Sequence, residues 1–155
     1  MMDIRKLQRQ AAYCVDELLS ISGDMDAYVI AAYGQAPQEV VAMQCRFLLE
    51  RLRRLEKKLT EIKKELACAT KPGGISGESH SNPSAAEGLS GEQRRSISVT
   101  QQLIAQNLLL IARKEELLNG FLAHSDMIGI QKKRAKELQD TAEMIRLKEV
   151  LLRNS

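Results

Sequence analysis

The sequence predicts an all-α protein: a long antiparallel helical hairpin of coiled-coil character followed by a second helical unit. The two units either close into a four-helix bundle or stay extended as a subunit of a larger helical assembly. Three observations carry this expectation. Apolar residues at Val41, Cys45, Leu48, Leu52, Leu55, Leu59, Ile62 and Leu66 alternate in steps of four and three, the period of a helix that keeps one narrow seam against another helix. The composition is 28% charged and 3% aromatic with no Trp, which suits long helices rather than strands. Gly34-Gln35-Ala36-Pro37 separates two periodic stretches so briefly that they must turn back on each other.

Taken in order, the first helix is expected over residues 3–33, with Asp3 as its cap. Ile4, Leu7, Ala11, Cys14, Leu18, Ile21, Met25, Tyr28 and Ala32 keep phase along it, so the poor helix formers around Gly23 are read as a bend, with a break into two helices as the alternative. Gly34 suits the left-handed closing position and Pro37 the first position of a second helix over 37–69. Glu39 in its first turn complements the helix dipole. The proposed units are therefore a hairpin over 1–69, a linker over 70–91 and a helical unit over 92–155.

The linker rests on KPGGISGESHSNPSAAEGLSG, which holds too little apolar surface to offset its ordering entropy. Helix resumes near Gly91 with two adjacent stripes. One is Ile97, Ile104, Leu108, Ile111, Leu118 and Leu122; the other is Leu103, Leu110, Leu117 and Phe121. Together they make a face wide enough for two neighbours. Glu115 interrupts the first stripe and is expected to send its carboxylate to water. Asn119-Gly120 predicts a helix end, and His124-Ser125-Asp126 a restart; an uninterrupted helix over 93–153 is the alternative, since no proline forbids it. The last helix, from about 126 to 153, is given the inward stripe Ala135, Leu138, Ala142, Ile145 and Leu152, flanked by Met144, Leu147 and Leu151.

Candidates for chemistry are few. The two histidines fall in the linker and at the turn, and no His-Glu-x-x-His, Glu-x-x-His or Gly-x-Ser-x-Gly pattern occurs. Cys14, Cys45 and Cys68 form no CxxC pair, and reduced thiols in an intracellular protein are expected. Neither a signal peptide nor a membrane-length apolar run is visible, so no membrane insertion and no secretion are expected, with cytoplasm and nucleus equally open. Enzymatic function, cofactors and metals are not expected.

Residues 51–64 hold seven Lys/Arg, of which Arg51, Arg53, Arg54, Lys57 and Lys58 are a candidate polyanion contact, and Lys132, Lys133, Arg134 and Lys136 form a second cluster. Residues 38–71 carry nine Lys/Arg against five Asp/Glu, and residues 1–37 carry three against five. The first hairpin can therefore set an acidic arm against a basic one. Phosphate-backbone contact needs cations gathered on one exposed surface, whereas these alternate with Glu and have no aromatic nearby. The functional expectation is a non-catalytic structural or adaptor subunit. The seam from Val41 to Leu66 would be its interaction surface, and helical proteins in a hetero-oligomeric complex its partners. A nucleic-acid-associated helical accessory protein, or a chaperone shielding partner helices, are the alternatives.

Overall fold

The computed structural model describes residues 4–70, 91–123 and 127–153. The helices are α1 (Ile4–Met25), α2 (Gln38–Thr70), α3 (Gly91–Leu122) and α4 (Met127–Arg153), and a π-helical turn, Asp26–Ile30, continues α1. No strand occurs among the described residues. The chain is an all-α four-helix bundle. Of the expected linker, residues 71–90 lie outside the described residues, as do Asp3, His80, His124, Ser125 and Asp126.

Helix directions follow from which residues meet. Arg51 of α2 bonds Asp24 of α1, while Lys58 lies over the ring of Tyr13, so α1 and α2 are antiparallel. Lys133 reaches Glu116 and Gln106 bonds the carbonyl of Asp140, so α3 and α4 are antiparallel too. Lys114 of α3 donates to Ser22, and the Phe121 ring meets Tyr33 edge-on at 4.9 Å, so α1 and α3 run parallel. The result is an up-down-up-down bundle with α1 and α3 on a diagonal. α3 packs against all three other helices, and α4 touches α1 only lightly. Leu, Ile and Val from every helix form one continuous core.

The turn between α1 and α2 closes on Gly34 at φ +84°, a left-handed conformation that glycine adopts without a Cβ penalty. Helix α2 starts one residue later than expected, and the carbonyl of Pro37 accepts from the amides of Val40 and Val41.

Two expectations about α1 change. Gly23 lies in regular helix, with open space where a Cβ would project. The disturbance comes after Met25, where the Ala31 amide donates to Asp26, one residue beyond the α-helical partner. That wider turn rotates the stripe: Val29 is buried, and Tyr28, expected inside, is 53% exposed. In α3 the helix runs through Asn119-Gly120 to Leu122, and Gly120 is buried.

Candidate functional site

The eight seam residues of α2, Val41 to Leu66, are all buried inside this chain's own bundle, none more than 6% exposed. The surface they would offer to another protein is taken up by α1 and α3. What remains open to solvent is the outside of the bundle, and the arrangement of α4 decides which of its apolar lines lies there.

α4 has two apolar lines. One is Ile130, Met144, Leu147 and Leu151, with Glu137 in its middle. The other is Ala135, Leu138, Ala142, Ile145 and Leu152, which the sequence reading turned inward. The structure reverses that choice: Ile130, Glu137, Met144, Leu147 and Leu151 are buried, whereas Leu138 is 51% and Leu152 52% exposed. Ala135, Ala142 and Ile145 are exposed with them.

The reason for the reversal lies on α3. Thr100, Asn107 and Lys114 recur every seven residues along the midline between the two apolar stripes, the same spacing reaches Phe121, and all four are buried. Lys114 sits where α3 faces α4 and α1. Its ammonium donates to Glu137 and, at 2.7 Å, to the hydroxyl of Ser22. Glu137 accepts in addition from Arg134 at 2.7 Å, and Arg134 also pairs with Asp26 on the π turn. An uncompensated buried charge is strongly unfavourable, so the ammonium on the α3 midline requires the carboxylate of α4 to face it. Arg113 with Asp140 and Lys148 with Asp16 then hold α4 in the same rotation from both sides. Burial pushes the Lys114 ammonium below its ordinary pKa, and Glu137 opposes that shift.

Sequence reasoning missed Lys114 and Glu137 because each reads alone as an interruption of an apolar line. The seven-residue recurrence from Thr100 to Phe121 was the available signal. Glu115, expected to reach water, is half-buried, and its Oε1 lacks a hydrogen-bond partner. Burial first, and then the nearby Glu56 carboxylate, raise its pKa against the pull of Arg53.

With α4 so rotated, a groove of about 410 Å³ opens between α1 and α4. Ala12, Leu151 and Leu152 form its apolar part, and Arg5 and Arg9 stand on its α1 rim. Leu138, Ile145 and Leu152 are seven residues apart and so share one line along α4; that line runs into the groove at Leu152.

Of the candidate polyanion residues, Arg53, Arg54, Lys57 and Lys58 are exposed along α2. Arg51 is turned toward α1, with Glu17 at 3.5 Å and Asp24 at 2.5 Å, the pairing of acidic and basic arms expected of the hairpin. Arg54 pairs with Glu50 at 3.3 Å as expected from their spacing, and Arg53 and Lys57 are exposed beside Glu56 and Glu61. Among the described residues, no group of three or more His, Cys, Asp or Glu is placed to hold a metal ion, and no helix is long and apolar enough to cross a membrane. No protein-family model, curated protein or solved structure matches the chain.

Proposed function

We propose that this protein is a non-catalytic adaptor subunit that presents a preformed helical bundle to other proteins in a complex. The observation that carries the reading is the exposed line of Leu138, Ile145 and Leu152 with Ala135 and Ala142. Its spacing is that of a helix-pairing seam, and this chain's own helices do not bury it. The α2 seam serves as the fixed core that keeps the bundle folded, and the α4 line serves as the contact surface. The basic flank of α2, alternating with glutamates and partly consumed in ion pairs, serves solvation.

The test is native mass in the cells that make the protein. A tagged wild-type chain at its natural level should sediment in a complex larger than the monomer. The Leu138→Asp, Ile145→Asp variant should sediment as a free, fully helical chain, since both positions are exposed and the core is untouched. A wild-type chain that sediments as a monomer, or a variant that keeps the complex, would sink the adaptor reading.

A further inference from the structure

The α1–α4 groove also says which kind of partner it takes. Its apolar part, Ala12, Leu151 and Leu152, continues into the exposed line of Ile145 and Leu138. From Leu138 to Leu152 the strip runs about 21 Å along α4, a length that a helical segment can cover. The charges around it are uneven. Asp16 is satisfied by Lys148 at 2.5 Å, Glu149 faces Arg153, and Asp26 is held by Arg134. Arg5 and Arg9, four residues apart on the α1 rim, are exposed and have no ion-pair partner among the described residues. Among the described residues these three carboxylates each have a cation within the chain, Glu149 only at 3.9 Å, and the two guanidiniums are left to face a ligand. A guanidinium presents a planar fork that a carboxylate matches with two hydrogen bonds.

The geometry points to an amphipathic helix of another protein as the occupant. Its apolar side lies along Leu138, Ile145, Leu152 and Ala12, and Asp or Glu residues on its flank meet Arg5 and Arg9. This rests on the adaptor reading and adds the chemistry of the partner. A second copy of this chain fits less well. Paired strip to strip, it would bring to Arg5 and Arg9 only Asp16 and Glu149, which already have a cation.

The experiment uses the full chain and a synthetic helical peptide about three heptads long, with Leu at a and d and Glu at e and g, followed by fluorescence anisotropy. A matched peptide carries Lys in place of Glu, and polyglutamate controls for charge alone. The Glu peptide should bind about two- to thirtyfold more tightly than the Lys peptide, as two exposed charge contacts allow. Arg5→Glu with Arg9→Glu should reverse that preference, and Leu138→Asp with Ile145→Asp should abolish binding of both. Circular dichroism checks that each variant remains helical.

Absence of binding, equal binding of the two peptides, or an unchanged preference in the Arg variant overturns the assignment. Polyglutamate binding as tightly as the Glu peptide would make the site a simple polyanion contact. Self-association lost in the Ile145 variant would give the groove to a second copy. If the native complex depends on Leu138 and Ile145 while Arg5 and Arg9 are without effect, the adaptor reading stands and the acidic-helix partner falls. If no native complex exists, the adaptor reading falls whatever the peptides do.

Discussion

The ammonium of Lys114, 1% exposed, is surrounded by the Glu137 carboxylate and the Ser22 hydroxyl, with Arg134 and Asp26 completing the cluster. Removing one member of such a pair leaves a buried charge unmet, whereas replacing both by apolar groups removes the desolvation penalty as well. Lys114→Ala and Glu137→Ala should each lower the unfolding free energy by about 3–5 kcal/mol, and Lys114→Met with Glu137→Met should recover most of that loss. Urea denaturation of the four proteins measures it; singles that cost under about 1 kcal/mol would mean that the pair is solvated. The thiols of Cys14 and Cys45 belong to the same scale. Burial pushes each from 9.0 up to about 11. A thiol whose folded pKa is raised contributes stability that is whole below pH 9 and is lost as the pH rises through about 11. Wild type should therefore lose stability more steeply over pH 9 to 11 than the Cys14→Ala, Cys45→Ala variant, by about 3 kcal/mol per thiol at full ionisation. Parallel pH profiles would remove this account.

Among the elements, α2 is the one whose role its own residues settle. Its eight-residue apolar seam is flanked mostly by charge and all eight positions are buried, while the shorter apolar line of Val40, Met43 and Phe47 stays exposed. Leu52 and Leu59 are both fully buried. Replacing both by Asp should abolish the cooperative fold, and Ala at each site should cost about 2–5 kcal/mol. Lys57→Asp with Lys64→Asp, on the exposed side, should leave helicity and the thermal midpoint nearly unchanged. Equal tolerance of the two sets in a thermal melt would contradict the core assignment. α4 is the opposite case, with two usable faces and no local reason to prefer either. Its inward line even carries a Glu, which any count of apolar residues penalises. The π turn after Met25 belongs with it, because the pairing of Asp26 with Arg134 is made from that widened turn.

At the scale of the molecule, the halves on either side of residues 71–90 share one core. α3 packs on both α1 and α2, Lys114 reaches Ser22, and Tyr33 meets Phe121 across the division. Each half alone would expose a broad leucine face. A chain carrying an inserted protease site between residues 71 and 90 should therefore stay together after cleavage. The fragments should co-elute in gel filtration and melt in one transition. Separation into two folded pieces would show that the halves are independent domains.

The sequence by itself determined that the protein is helical, that α1 and α2 form an antiparallel hairpin closed at Gly34, and that the Val41–Leu66 seam is a contact line. It also determined the two stripes of α3 that meet the core. These follow from periodicity and turn chemistry, which act within a few residues and leave a single solution where only one face is apolar. The tertiary structure decided which face of α4 turns inward, where α1 widens into a π turn and, with those, which residues stand outside for a partner. The physical reason is that these choices turn on charges far apart in the chain. Lys114 with Glu137, Arg113 with Asp140, and Asp26 with Arg134 become favourable to bury or half-bury only in one another's presence. No local pattern holds both members of those pairs, so the line of Leu138, Ile145 and Leu152 looked like core in the sequence and is surface in the fold.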